Sequence, residues 1–418
     1  MNNDLLLNLV KNAKSRLDLA DVNGQESLYL LANTLLNMPD LSLDKLYQIV
    51  RNKETPLEFK IAVKLFESKK FLLENQQPVK LGVLFAMWGE QNRLLPKTER
   101  NPNGEDSLRV KLQQLKWATK GSKIKWNLYA VDDGCPHGSG KIATEIADRS
   151  PLGKHARIFH LADALPQKQG PLMGLKSVED SRKGGAIILG ALEAIKDGMD
   201  VIITTDSDNS VHLGQVGLLL QKFCKNQTRA VFGDRKDPDA ILIKQEDRWG
   251  VGIKLLRHMQ RMIGDAIFSQ GVFDTQAAFK LFQCDYLEKI IQHPAVYDFS
   301  FDTEWIAATI ALKEPFEKVP FAFIDSFAES ASITQGPMTT WEILLKGLVK
   351  QVRKYQLPHN QAMAQIIDDE IQSSADLDLL IHHLPSELKD VPDRELGNPK
   401  IMSPEQVLAW IQTRKTHT

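Results

Sequence analysis

The sequence predicts an α/β protein built on a mainly parallel sheet, and three observations predict it. Short apolar runs recur at 81–87, 126–131, 156–161, 201–205 and 230–232, with helical periodicity between them at 107–119, 141–147, 184–195 and 213–224. Alternating strands and helices imply a parallel sheet covered on both faces. Several of the runs also end abruptly in carboxylates, most clearly Thr204-Thr205-Asp206-Ser207-Asp208. Open sheets of this kind bind ligands outside the carboxyl ends of their strands, so those acids are the first candidates for chemistry.

With 418 residues the chain exceeds one ordinary domain but suits a large α/β core with appendages. Its 43% hydrophobic and 25% charged residues are globular values. The net charge of −1 gives no global attraction for nucleic acid or an anionic bilayer. Three well-separated cysteines with no C-x-x-C pair fit a reducing compartment and argue against a disulfide framework or structural zinc. The first residues lack the basic segment and apolar core of a signal peptide, and no apolar run reaches the roughly 18 residues of a membrane span. A soluble cytoplasmic protein is expected.

Taken in order, residues 1–78 read as a helical module. Thr55-Pro56-Leu57-Glu58 has the pattern of a capping box ahead of Ile61, Ala62, Leu65 and Phe66, and segments 28–36 and 43–50 have helical apolar spacing. The α/β domain occupies 79–356. At its end, Trp341, Leu344, Leu345, Leu348 and Val352 form one helical face opposite Lys346, Lys350, Arg353 and Lys354. Such a helix either docks on its own domain or lies on a membrane surface. Residues 357–418 are interrupted by Pro358, Pro385, Pro392, Pro399 and Pro404 and read as an irregular extension with one last helix from Ser403.

Asp206 and Asp208, one residue apart at a strand end, can share Mg²⁺ or Mn²⁺ with a substrate diphosphate, because hard dications take carboxylate oxygens and commonly keep phosphate ligands. Taken alone, the stretch also reads as a turn after a strand. In Val131-Asp132-Asp133-Gly134-Cys135 either acid can accept hydrogen bonds from a base or ribose, while Gly134 permits the turn. Arg182-Lys183-Gly184-Gly185 opens a helix whose positive terminus and Lys183 charge suit an anion. Arg235 and Arg248 offer planar guanidinium groups for a diphosphate. Asp274 and Gln276 are polar groups placed to support an acceptor or a metal. Asp302 and Glu304 are candidate general bases, with Asp302 first and Asp274 second.

The order of these pieces resembles the GT-A glycosyltransferases of family 2. It runs Val131-Asp132-Asp133-Gly134, Lys183-Gly184-Gly185-Ala186, Asp206-Ser207-Asp208, Gly233-Asp234-Arg235, Asp274-Thr275-Gln276 with Phe279-Lys280, then Phe301-Asp302-Thr303-Glu304. The dolichyl-phosphate glucose and mannose synthase branch is the nearest in look, over roughly residues 80 to 355. The resemblance implies a UDP- or GDP-sugar donor, a metal on Asp206 and Asp208, and transfer of a hexosyl group to an acceptor hydroxyl or phosphate. It places Asp132 or Asp133 on the nucleoside, and Arg235 and Arg248 on the phosphates. Lys183, Gly184 and Ser207 fall on the donor side, and Asp274 and Gln276 near sugar and acceptor. Ala86-Met87-Trp88-Gly89-Glu90 would line the nucleotide pocket, although the family usually has Pro followed by Asn-Glu there. A second departure is Glu329-Ser330-Ala331-Ser332-Ile333-Thr334, which lacks the basic residue that helps the polyprenyl branch hold a phosphate acceptor. Two other readings compete. Arg93-Leu94-Leu95-Pro96-Lys97-Thr98 has some of the look of a sugar-nucleotide pyrophosphorylase, without its glycine-rich approach. A non-catalytic scaffold would leave the acids at every strand end without a use.

Overall fold

The computed structural model describes residues 2–243, 250–325 and 336–416. Its centre is a seven-stranded sheet in the order β3-β2-β1-β4-β7-β5-β8. The strands are β1 (Val79–Met87), β2 (Ile124–Asp132), β3 (Ala156–His160), β4 (Val201–Thr204), β5 (Ala230–Asp234), β7 (Lys280–Gln283) and β8 (Phe316–Pro320). All neighbouring pairs are parallel except those of β7, which runs antiparallel between β4 and β5. β6 (Ile241–Ile243) and β9 (Ala322–Ile324) form a separate parallel pair. The apolar runs do not reveal β8, the short pair β6 and β9, or β7, which lies in the middle of the sheet. β7 has four residues and begins with a lysine, too short to show a period.

The chain leaves β1, builds outward through β2 and β3, then crosses back to lay β4 on the other side of β1. The order therefore reverses at β1, the kind of position at which open α/β sheets bind ligands, outside the carboxyl ends of the strands. Buried β-branched and aliphatic residues make these strands: Leu81, Val83, Leu128, Val131, Ile202 and Ile203 are all inaccessible. One face is covered by helix α7 (Gly184–Lys196), α9 (Ile253–Ile263) and α12 (Phe301–Ala311), the other by α5 (Ser107–Thr119), α6 (Ser139–Arg149) and α8 (Val216–Asn226).

The first four helices, Asn2–Asn12, Val22–Leu36, Leu43–Val50 and Leu57–Glu74, share a core that also takes in Ile241, Ala322 and Ile324 of the small sheet. The capping box expected at Thr55 and Glu58 is not formed. Pro56 is the N-cap, Thr55 Oγ1 donates to the Ile49 carbonyl (2.7 Å), and Glu58 turns away to accept from Lys14 N (2.6 Å) and the Ser27 hydroxyl. Long-range partners outcompete the local motif, which a four-residue pattern cannot register.

The C-terminal residues are more regular than the proline spacing suggests. Helices Gln361–Glu370, Ser374–Ile381 and Pro404–Thr416 place Met363, Ile367, Leu377, Leu380, Val407 and Ile411 in the same core as α7, α9 and α12. The prolines divide this segment into short helices and turns. Helix Pro337–Lys354 buries Trp341, Leu344, Leu345, Leu348 and Val352 in contact with α9, α12 and Ser374–Ile381, so its apolar face is covered by the chain itself. No helix among the described residues is long and apolar enough to cross a membrane.

His212 marks the seam between the first helices and the sheet domain. It is fully buried, its Nδ1 accepts from Gly214 N (2.9 Å), and its ring meets Tyr29 and Trp117 edge-on at 5.6 and 6.5 Å. Burial holds its pKa down at about 3. The unfolded chain, with a histidine near 6.5, then binds a proton that the native state refuses. Stability is therefore complete above pH 6.5 and is lost as pH falls toward 3, by about 1.4 kcal/mol per pH unit. Urea denaturation at pH 7 and pH 5 is expected to show this loss. His212→Asn, which keeps an acceptor for Gly214, should remove about 2 kcal/mol of the difference.

Candidate active site at the strand ends

Asp206 and Asp208 leave β4 side by side with the end of β1, since Thr204 pairs with Leu84 and Thr205 N donates to the Leu84 carbonyl (2.9 Å). Both side chains are half-buried. Lys183 Nζ donates to Asp206 Oδ1 at 2.5 Å. Burial alone would raise the pKa of Asp206, but Lys183, Arg235 and Lys111 outweigh it and hold the carboxyl below its usual range. Asp208 Oδ1 accepts from Ser210 N (3.0 Å). One oxygen of each carboxylate is thus left without a protein hydrogen bond among the described residues. Two half-exposed carboxylates with free oxygens fit a Mg²⁺ or Mn²⁺ that completes its shell with phosphate and water. Among the described residues no cluster of three or more acidic, histidine or cysteine ligands forms a closed cage.

Lys183 ties two strand ends together. It precedes α7 with φ +80° and ψ −46°, a conformation that a non-glycine residue adopts at a cost of about 1–3 kcal/mol. Its N–H donates to Asp133 Oδ2 (2.6 Å) while its ammonium reaches Asp206, so β2 and β4 hold it from both sides. Gly184 follows because a Cβ there would come within 2.5 Å of the Tyr297 backbone. Gly134 has φ +75°, and a Cβ would meet the Val178 side chain at 2.5 Å, as the tight turn after β2 requires.

The two acids of that turn are both engaged. Asp132 accepts from Cys135 N (2.8 Å) and Gly140 N (2.6 Å), fastening the loop to the start of α6. Asp133 accepts from Ser181 Oγ (2.6 Å) as well as Lys183 N, and burial pushes its pKa up to about 6. At the end of β1, Ala86 and Trp88 are partly buried, and the Trp88 ring lies edge-on to His137 with centroids 6.3 Å apart. Glu90 is buried against Arg93 (3.1 Å); burial raises its pKa, and Arg93 and Ser207 act to lower it. Arg93 spends its charge on Glu90 and Glu105 (3.2 Å), inside the protein and not on a phosphate.

On the far side, Arg235 is locked to Asp274 by Nε to Oδ2 (2.8 Å), an NH2 to Oδ1 contact (2.7 Å) and its own N–H to Oδ2 (2.8 Å). Its guanidinium also lies over the Phe323 ring at 4.9 Å. Gln276 donates to Thr303 Oγ1 (2.8 Å). Asp302 accepts from Lys280 Nζ at 2.9 Å, with the lysine fully buried. Burial raises the Asp302 pKa and lowers that of Lys280, against their mutual attraction. Glu304 accepts from Ala295 N (2.7 Å), Val296 N (3.2 Å) and Lys354 Nζ (2.6 Å), which makes it a brace for the loop before α12. Arg248 and the stretch 329–334 lie outside the described residues.

The structure thus brings Asp133, Lys183, Asp206, Asp208, Ser207 and Glu90 into one linked group, with the Asp274–Arg235 and Lys280–Asp302 pairs opposite. Sequence reasoning missed Lys111 and Glu105 as members, and named Lys280 within the Phe279-Lys280 pair without giving it a role. Lys111 carried a signal, because it falls at the helical spacing of Leu108, Leu112 and Leu115, on the buried stripe of α5. Lys280 carried one too, as a cation inside the run Ala277–Phe282.

No family model matches the chain. Its backbone is similar to the mannosyl-3-phosphoglycerate synthase of Rubrobacter xylanophilus, at 10% identity and a TM-score of 0.44, over 71% of this chain and 80% of that one. It is also similar to the glucosyl-3-phosphoglycerate synthase of Mycobacterium tuberculosis. In complex with phosphoglyceric acid, that enzyme matches at 11% identity and a TM-score of 0.45, over 78% of this chain and 88% of that one. In complex with Mn²⁺, UDP-glucose and phosphoglyceric acid it matches at 11% identity and a TM-score of 0.44, over 78% and 87%. At about one residue in ten identical, neither likeness carries an activity over to this chain.

Proposed function

We propose that this chain is a metal-dependent glycosyltransferase of the GT-A type that moves a hexosyl group from a UDP- or GDP-sugar to an acceptor hydroxyl or phosphate. The observation that carries the reading is the Asp206–Asp208 pair at the sheet's reversal point, with the charges of Lys183, Lys111 and Arg235 acting on it. Such a site offers carboxylate oxygens to a cation and positive charge to a diphosphate in one place. Asp206 and Asp208 would hold the Mg²⁺ or Mn²⁺, whose charge supports a departing nucleoside diphosphate.

The chain's own groups supply the rest. Lys183 and the amides opening α7 present positive potential at the strand ends, which favours the leaving group as its charge develops. Trp88 and the loop after β2 border the space for the base. Asp274 and Asp302 face the acceptor side already paired with Arg235 and Lys280. A hydroxyl acceptor needs one of them to take its proton, and a phosphate acceptor needs neither. The pyrophosphorylase reading loses its main support, because Arg93 is consumed by Glu90 and Glu105.

The test incubates the protein with UDP- and GDP-sugars, Mn²⁺ and an acceptor panel of sugars, polyols, 3-phosphoglycerate and polyprenyl phosphate. Release of nucleoside diphosphate with a glycosylated product is the expected result. Pyrophosphate release from a nucleoside triphosphate and a sugar phosphate, with no transfer, would overturn the proposal.

A further inference from the structure

The peptide unit between Asp208 and Asn209 is held at both ends by buried charges of opposite sign. Lys111, wholly inaccessible on α5, donates its ammonium to the Asp208 carbonyl. Glu105, 4% exposed just before α5, accepts the Asn209 N–H on Oε2 at 2.8 Å. The Asn209 side chain closes the same contact from the other direction, with Nδ2 donating to the Glu105 carbonyl at 2.9 Å. Glu105 is itself fixed by Arg93 Nε (3.2 Å), and Arg93 by Glu90 at the end of β1.

A buried ammonium is costly unless something requires it, since apolar side chains fill such a position without a desolvation penalty. Lys111 occupies the apolar stripe of α5 beside Leu108, Leu112 and Leu115, with its Nζ 5.7 Å above the Phe85 ring. Among the described residues its hydrogen bond goes to backbone, at the residue whose side chain is offered to the cation. Rotation of the 208–209 peptide plane would swing the Asp208 carbonyl off Lys111 and the Asn209 N–H off Glu105 together. We infer that Lys111 and Glu105 are positioning residues that clamp this peptide plane and so aim the Asp208 carboxylate at the donor-side cation. The inference rests on the proposed metal role of Asp208 and identifies what orients that carboxylate.

Mn²⁺ binding to the full chain, read by electron paramagnetic resonance without donor or turnover, provides the test. Outer partners of metal-binding groups typically contribute about 10- to 100-fold in affinity. Lys111→Met and Glu105→Ala are each expected to weaken Mn²⁺ about tenfold. The double variant should lose little more than either alone, because both act on one peptide plane. Glu105→Gln, which keeps the acceptor, should recover much of the affinity. Lys111→Met fills the stripe with an apolar side chain, so its melting temperature is expected to match or exceed that of the wild type. A merely structural lysine would show the reverse, lower melting with unchanged affinity, and that result would overturn the clamp.

Should the wild-type protein bind no Mn²⁺, the cation reading of Asp208 fails by itself. The clamp is then decided by hydrogen exchange at the Asn209 amide. At least tenfold faster exchange in Glu105→Ala and Lys111→Met, against unchanged amides in β1 and β4, supports it. Unchanged exchange in both variants overturns it.

Discussion

Asp208→Ala is expected to lower kcat/KM for transfer from a nucleotide sugar by about 10²–10³-fold, the range that removal of one electrostatic contact to a transition state produces. Asp208 is the cleaner of the two carboxylates to remove. Among the described residues its side chain has one protein hydrogen bond, from Ser210 N, whereas Asp206 also neutralises Lys183. Asp208→Ala should therefore leave the melting temperature within a few degrees of wild type. Asp206→Ala should lose activity and also free a lysine whose strained backbone depends on its anchors. A kcat/KM for Asp208→Ala within threefold of wild type, measured with saturating Mn²⁺, would remove this residue from the donor site.

Asp302→Ala is expected to destabilise the fold by about 3–5 kcal/mol, because it strands the Lys280 ammonium in a site with no access to water. The position lies where α12 begins behind β7, with Phe279 and Phe282 close in sequence to the lysine. Lys280→Met combined with Asp302→Leu should restore most of that loss, since well-packed apolar residues commonly replace a buried ion pair at little cost. Urea denaturation of the three proteins distinguishes the outcomes. A double variant as unstable as Asp302→Ala would mean that packing, and not the unpaired charge, sets the penalty. The same pair changes how a loss of activity in Asp302→Asn is to be understood. That variant disturbs Lys280 before it tests proton transfer, so its kcat has meaning only beside its stability.

The fold was largely legible because its signals are local. Strand runs at 81–87, 126–131, 156–161 and 201–205 fall within a residue or two of β1 to β4, and the helix at 107–119 matches α5. Burial on both faces of a parallel sheet demands continuous apolar runs, and such runs are visible in one dimension. β7 escaped because its four residues pair with β4 and β5, partners about 80 and 50 residues earlier in the chain. The capping box at Thr55 failed for the same reason, since Lys14 and Ser27 claim Glu58 from a distance.

The candidate residues divide in the same way. By itself the sequence determined an α/β protein with carboxylates at its strand ends and Asp206 and Asp208 one residue apart after β4, because strand termination and residue spacing are local properties. Only the tertiary structure decided which of those charges remain available. Asp132 is committed to Gly140, Arg235 to Asp274, Asp302 to Lys280 and Arg93 to Glu90 and Glu105, while among the described residues Asp206 and Asp208 each retain an oxygen. A charged side chain written in sequence carries no record of its partner, since ion pairs form between distant strand ends and are selected by burial. That selection also placed Lys111 behind Asp208, where a lysine on an apolar stripe acts on a residue 97 positions away.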